Sequence, residues 1–458
     1  MNRFLAAERA LRTAEPHRLL DAVRTVLAER YGAGRVELLL ADYGLTRLQP
    51  FRVPLGDTAW DAEGADAGGA GAGSAGAGSA GAGSAGTGGA GAGGAGEEGL
   101  PPADPASTDP ASEGLCAPVA AHNSAAGRAF GAQEPVAEPL AGGLVRLHLP
   151  VTVRGERLGV LAVDLPGAEG TRELVDELCE VAQVLGHELV VAERDTDLYR
   201  RARRLRRLTL AAEMQWQLLP GRSCSRSEFR LGAHLAPAYA ACDGAVDWSA
   251  DPDRLTLHVT QGMGDPSESA VLTGLTVGAL RNARRAGVPI VDQAALAGQA
   301  VYAHYRGARY ACAALLDIDL ATGTVQAVDA GSPQVLRVRG GEVRSIRLEA
   351  QLPLGMFEDT EYEVQEFTLE PGDRLVCVSE NLRGHEPDKA LARAIAATRL
   401  LPAAEVPSAL LRELAAAGGR TAGGRTAGGR TGGAGGNGGR AAADEGSTVV
   451  CLDWLGRG

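Results

Sequence analysis

Lysine is almost missing from this chain. Lys389 is the only one, and arginine carries nearly all the positive charge. That bias fits a GC-rich genome better than any chemistry. Acids outnumber bases, for a formal net charge of -12, which speaks against general nucleic-acid binding. No apolar run approaches the ~20 residues that a membrane-spanning helix needs. The seven cysteines are scattered and form no CxxC pair; the expectation is reduced thiols in a cytoplasm rather than zinc or disulfides. P-loop, dinucleotide and catalytic-triad motifs are all missing. The stretch MNRFLAAERALRTAEPHRLLDAV reads as an amphipathic helix rather than a signal peptide, because charges interrupt its apolar residues.

What is present falls into ordered stretches separated by two low-complexity tracts. Residues 65–98 repeat GAGSA-like units, and 99–113 add prolines, serines and acids; 418–440 repeat GGRTA. Such tracts bury too little side chain to offset backbone entropy and read as disordered loops or linkers. Before the first tract, residues 1–31 carry a helical stripe, and Val36–Tyr43 and Leu45–Val53 are strand candidates. After it, Val145, Leu147, Leu149, Val151 and Val153 alternate. Arg154-Gly155-Glu156 turns the chain, and Leu158, Val160 and Ala162 begin the return of a hairpin. From Thr171 a long helix is predicted, with Leu174, Leu178, Val181 and Leu185 at three- and four-residue spacing, continuing towards Pro220. That spacing suits a short coiled coil and offers a homodimer contact over 171–219. Six arginines lie between Arg200 and Arg207. With no aromatic residues interleaved to stack bases, they read as a solvated face paired with acids around Glu188–Asp197.

The rest of the chain is organised around Leu255–Ala270, LTLHVTQGMGDPSESA. Leu255, Leu257 and Val259 alternate with Thr256, His258 and Thr260, as on a half-buried strand with His258 facing outward. Gly262 and Gly264 permit a tight turn, after which Ser267 or Ser269 can cap a helix running to Gly287. By itself this is a tight connection. Around it strands come in runs and helices in separate pairs: helices at 267–286, 290–304, 387–399 and near 405–416, with strands between and a last strand at Val449–Leu452. That order gives an α+β architecture.

Several motifs, in order, make residues 210–455 resemble the PPM-type protein phosphatases of the sporulation-phosphatase-like subgroup. They are Met214-Gln215-Trp216-Gln217-Leu218-Leu219-Pro220, Asp247-Trp248-Ser249, Gly262-Met263-Gly264, Asp329-Ala330-Gly331-Ser332-Pro333, Leu352-Pro353-Leu354-Gly355-Met356 and Leu369-Glu370-Pro371-Gly372-Asp373. The N-terminal part, with Ser124–Phe130 before the hairpin, is similar to a GAF sensor domain. The resemblances imply a GAF-like domain over 1–170, a connecting helix over 171–219 and a PPM phosphatase-like β-sandwich flanked by helices over 220–455. They also imply a site where aspartates hold two Mg²⁺ or Mn²⁺ ions and a metal-bound water attacks a phosphoserine or phosphothreonine.

This chain departs from that pattern at each expected ligand. Gly244 and Gln261 stand where the first two aspartates belong, Glu380-Asn381 replaces Asp-Gly, and Gly446 falls at the last position. Of these only Glu380 carries a carboxylate, and hard divalent ions need anionic oxygens. Asp243, Asp265 and Glu445 lie close enough in sequence to act as displaced ligands. Cys242 and Cys377 flank the site without an evident base, and His304, Tyr302 and Tyr305 read as helix packing. The expectation is a cytoplasmic pseudophosphatase without metal that binds a regulatory phosphoprotein. The alternative is an active metal-dependent serine/threonine phosphatase using the displaced acids with Mn or Mg. Neither nucleic acid nor a membrane is an expected partner.

Overall fold

Alternation in the sequence becomes three antiparallel sheets. The structure, a computed structural model, describes residues 2–52, 117–167, 171–240, 242, 244–331, 333–379, 387–423 and 446–457. The 65–113 tract, most of the 418–440 tract, and Asp243, Glu380 and Glu445 therefore lie outside the described residues.

The N-terminal part runs α1 (Arg3–Thr13), α2 (Leu19–Tyr31), β1 (Val36–Ala41), β2 (Arg47–Pro50), β3 (Val119–Ala120), α3 (Ala125–Ala132), β4 (Val136–Pro139), β5 (Leu144–Val153), β6 (Glu156–Pro166) and α4 (Arg172–Ala192). Its six strands lie in the order β3-β2-β1-β6-β5-β4. The helix expected over 1–31 is broken at Pro16, where a 3-10 turn begins; proline has no N–H to continue the ladder. The β5–β6 hairpin is as predicted, with Arg154 and Gly155 both at positive φ in its two-residue turn.

One expectation is corrected here. The helix beginning at Thr171 stops at Ala192, and two shorter helices follow, α5 (Leu198–Ala202) and α6 (Leu210–Leu218). Thr196 Oγ1 accepts from the Leu198 N–H, and Thr209 Oγ1 caps α6 at the Ala212 N–H. Side-chain oxygens that satisfy free helix N–H groups start new helices rather than extend old ones. The stripe Leu174, Leu178, Val181, Leu185 and Leu189 is buried with Leu11, Leu20, Leu149 and Leu161. It is spent inside this chain, on α1, α2 and the sheet, instead of forming the expected coiled-coil seam with a second copy.

The C-terminal part continues with β7 (Ser223–Ser225), β8 (Phe229–Ala236), β9 (Gly244–Ala250), β10 (Arg254–Gly262), α7 (Pro266–Arg285), α8 (Ile290–Tyr305), β11 (Ala311–Asp319), β12 (Thr324–Ala330), β13 (Gln334–Arg339), β14 (Glu342–Ser345), β15 (Gln365–Thr368), β16 (Arg374–Val378), α9 (Pro387–Ala397), α10 (Val406–Gly423) and β17 (Ser447–Trp454). Strands β15-β12-β11-β10-β9 make one sheet and β14-β13-β16-β17-β8-β7 the other. Leu231, Leu257, Leu316, Val325, Leu375 and Leu452 pack between them. Helices α7 and α8 cover the outer face of the first sheet through Leu280, Ile290 and Leu315, and α9 and α10 cover the second through Leu391, Leu410 and Val449. The result is a β-sandwich with a helical layer on each side, as the α+β reading expects. The backbone of α10 runs on to Gly423, six residues into the tract read as unstructured from 418; a helix already nucleated at Val406 extends at little cost per residue.

Met1–Arg52 and Ala117–Gly458 form one compact unit. Where its two parts meet, the β5–β6 turn docks on β7. The Ser225 N–H donates to the Arg154 carbonyl at 2.8 Å, and the Ser223 N–H donates to Glu156 Oε2 at 2.7 Å. Further along, Arg157 Nη2 donates to the Ala404 carbonyl at 2.7 Å.

Candidate functional site

One edge of the sandwich gathers the positions singled out in the sequence. Gly244 opens β9 and Gln261 lies one residue before the end of β10, and the two are directly paired in the ladder. Across from them, Ser379 follows β16 and exchanges two hydrogen bonds with Thr448 of β17: the Ser379 N–H donates to the Thr448 carbonyl at 3.0 Å, and the Thr448 N–H donates to Ser379 Oγ at 3.1 Å. Gly446 lies just before β17. Two of the four degenerate positions, Gly244 and Gln261, are thus side by side, and Gly446 lies two residues from Thr448, which faces them.

A Cβ on residue 244 would sit 2.3 Å from Thr448 Oγ1 and 3.1 Å from the Thr260 carbonyl oxygen. The Thr448 side chain therefore fills the space into which a side chain at 244 would project. Cys242 Sγ lies 3.4 Å from the same hydroxyl, and both residues are buried. Glycine here is part of the packing, and an aspartate needs Thr448 to give way.

Asp265, one of the acids expected as displaced ligands, is the cap of α7. Its Oδ1 accepts from the Ser267 and Glu268 N–H groups, both at 3.0 Å. The expected caps, Ser267 and Ser269, are corrected by this: aspartate at the N-cap satisfies two free N–H groups and favours the positive helix end. Ser269 instead donates to the Gly262 carbonyl. The Gly262–Gly264 turn needs its glycines. A Cβ at 262 would lie 2.7 Å from Thr273 Oγ1 and 2.8 Å from the Ser269 carbonyl oxygen, and Gly264 has φ +115°. Beyond the turn, Arg309 Nη2 pairs with Glu268 Oε2 at 2.5 Å.

His258 does not face outward. It is fully buried, opposite Asp247 in the β9–β10 ladder, and neither ring nitrogen has a partner. Both faces of this sheet are covered, one by the second sheet and one by α7, so the alternation that marks the strand marks no solvent side. Burial, opposed by Asp247 and assisted by Arg284 and Arg281, lowers its pKa to about 4. Asp247 itself is clamped by α7: Arg281 Nε donates to Oδ1 at 2.8 Å and Arg284 Nη1 to Oδ2 at 2.6 Å. Its carboxylate is fully engaged in holding helix to sheet. Cys377 is buried, and burial pushes its thiol up to about 12, so it is no nucleophile near neutral pH. Tyr302, His304 and Tyr305 lie on α8 as expected.

Among the described residues this edge offers few anionic donors. Gly244 offers no donor, Gln261 a neutral amide, and Asp265 a carboxylate already committed to backbone. Among the described residues no three His, Cys, Asp or Glu side chains converge on a metal position. By themselves Gly244, Gln261 and Asp265 do not fit a pair of divalent cations, whose lost hydration demands anionic oxygens; Asp243, Glu380 and Glu445, the other acids expected at this edge, lie outside the described residues.

Residues 251–426 match the family model described as Stage II sporulation protein E (SpoIIE). Among solved structures, the chain is similar to the PP2C phosphatase domain with a fragment of the regulatory domain of SpoIIE from Bacillus subtilis. That match has 14% identity and a TM-score of 0.41, and covers 71% of this chain and 84% of that chain. The RsbU and RsbW domains of Rv1364c from Mycobacterium tuberculosis match at 21% identity and a TM-score of 0.40, with 50% of this chain and 62% of that chain covered. The serine/threonine phosphatase PstP/Ppp of the same organism matches at 16% identity and a TM-score of 0.36, covering 50% and 99%. No curated protein matches the sequence. Among the described residues no helix is long and apolar enough to cross a membrane.

Proposed function

We propose that this is a signalling protein in which a PPM phosphatase fold has given up metal-dependent catalysis and serves as a pseudophosphatase. In this reading its cleft binds a phosphorylated regulatory protein, and the six-stranded N-terminal sheet with α1–α4 acts as a GAF-like sensor domain. The carrying observation is the filled space at residue 244: the Thr448 hydroxyl stands where an aspartate at that position would begin. With neutral Gln261 directly beside it, two adjacent ligand positions lack charge together, and one neighbouring acid, Asp265, is bound up in a helix cap. Two-metal hydrolysis needs a metal-bound water of lowered pKa and cations to neutralise the transferring phosphoryl group, and uncharged donors do not hold those ions.

The test is calorimetric titration of the full chain with Mn²⁺, with turnover of p-nitrophenyl phosphate followed in parallel. The expected result is neither saturable metal binding in the micromolar range nor manganese-dependent turnover. Turnover that needs Mn²⁺ and is abolished by Glu380→Ala would instead establish a working phosphatase with displaced ligands.

A further inference from the structure

A cavity of about 630 Å³ lies where the N-terminal and C-terminal parts meet, away from the sandwich edge described above. Its walls come from Tyr43 after β1, Glu156 of β6, Arg200 of α5, Trp216 of α6, and Arg203 and Arg222 from the segments between. Arg222 is 7% exposed. Its guanidinium sits 4.3 Å from the Trp216 ring centroid and 5.5 Å from that of Tyr43. Nη1 donates to the Asp42 carbonyl at 3.3 Å, and Nη2 has no hydrogen-bond partner.

Glu156 and Asp42 lie near enough to favour this charge, but among the described residues no carboxylate is hydrogen-bonded to the guanidinium. The Asp42 carboxylate is taken by the Gly44, Thr46 and Arg47 N–H groups and the Tyr239 hydroxyl. Glu156 spends Oε2 on the Ser223 N–H, and burial pushes its pKa up, towards the neutral form. Glu193 lies 3.4 Å from Arg200 and 3.9 Å from Arg203. Glu213 pairs with Arg204. Arg194, at the exposed mouth, adds a further positive charge. A buried guanidinium with an unused N–H is costly unless an acceptor reaches it. Aromatic contacts offset only part of that cost, because they supply no hydrogen-bond acceptor.

We infer that this cavity is a binding site for a small organic anion, a carboxylate or a phosphate ester, held through Arg222 with Arg200 and Arg203 completing the positive wall. Its volume falls in the range of small-molecule sites, roughly 300–1,000 Å³. An arginine fork suits the planar, two-oxygen edge of either group. The cavity is built from both parts of the chain, so the bound anion stabilises their docked arrangement by mass action.

The test uses the full-length protein and three probes: sodium benzoate, citrate and adenosine 5′-monophosphate. Sodium chloride at matched ionic strength is the blank, and binding is read by isothermal titration calorimetry and by the shift in melting temperature. At least one probe is expected to bind saturably in the millimolar range or below and to raise the melting temperature. Arg222→Lys, which keeps the charge but loses the fork, should weaken that probe about tenfold, and Arg200→Glu at the rim should weaken it severalfold. If Arg222→Lys fails to fold, Arg200→Glu and Arg194→Glu decide the matter, since both residues reach solvent. Saturable binding by none of the probes overturns the proposal. So does binding at unchanged affinity in a folded Arg222→Lys, or in both rim variants.

Discussion

The outer face of the β9–β10 ladder and the sandwich edge only a few residues along it treat charge in opposite ways. Towards the middle of the strands, Asp247 is buried and held by two arginines. At the end of the same two strands, Gly244 and Gln261 bring no charge at all, and a threonine hydroxyl fills the room a carboxylate would need. The contrast separates charge kept for architecture from charge needed for chemistry. A carboxylate that ties helix to sheet stays because removing it strands two cations. A carboxylate that only served a metal can be replaced by a packed neutral contact.

The largest expected effect tests the first half of that contrast. Asp247→Ala leaves the half-buried Arg281 and Arg284 without the buried counter-charge that holds them, while His258 stays buried beside them. Breaking a buried pair from one side costs about 3–5 kcal/mol, and urea denaturation should show a loss of that size. A loss below about 1 kcal/mol, the scale of an exposed ion pair, would mean that the arginines find other partners.

The second prediction acts on the other half. Gly244→Asp alone forces a Cβ against Thr448 Oγ1 at 2.3 Å, and overpacking of this kind costs about 1–3 kcal/mol. Adding Thr448→Ala should recover much of that loss, which a double-mutant cycle measures directly. If Gly244→Asp is as stable as the parent, the hydroxyl moves freely and the filled-space reading of the edge fails. The triple variant Gly244→Asp/Gln261→Asp/Thr448→Ala sharpens the comparison further. Its titration with Mn²⁺ should show tighter binding than that of the parent.

How far these features could be read in advance differs from place to place. The strand at 255–260 was legible because Leu255, Leu257 and Val259 alternate with polar residues, and those around 311–330 and 374–378 because short apolar runs are bounded by turn residues. The sheets, the helix pairs and the α+β order follow from that. His258 was misread because a polar residue on an alternating strand looks outward, and a single sequence does not say that α7 covers that face. Gly244 and Gln261 could be marked as uncharged, but not that they are ladder partners or that Thr448 fills the gap, since β17 lies about two hundred residues along the chain from Gly244. The arginine run was half legible. Its pairing with Glu193 was expected, whereas the Arg203 contact with the Ala41 carbonyl and the Arg204 pairing with Glu213 depend on α5 and α6 being separate helices.

The third prediction probes the buried histidine through pH. With its pKa lowered to about 4 from an unfolded value near 6.5, His258 stays neutral when folded while the unfolded chain takes up a proton. Its contribution is fully present above about pH 6.5 and is lost as pH falls towards 4, at up to about 1.4 kcal/mol per pH unit. His234, lowered by burial to about 3, acts in the same direction. The parent should therefore lose stability steeply over that window, and His258→Gln should show a shallower slope. Equal slopes in the two proteins would mean that the imidazole finds a proton partner inside the fold.

The smallest effect returns to the turn between the two treatments of charge. Asp265 keeps its carboxylate near the sandwich edge, yet its oxygen is placed on two helix N–H groups. If that is its whole role, Asp265→Ala costs about 1 kcal/mol, the usual loss of an N-cap, and Asp265→Ser restores most of it. A metal ligand behaves differently, because serine carries no charge and would not replace it. Stability measured for the two variants with and without Mn²⁺ separates the cases. Recovery by serine that is indifferent to the ion assigns Asp265 to the helix. A manganese-dependent gain in stability seen in the parent and lost in both variants would return it to the chemistry.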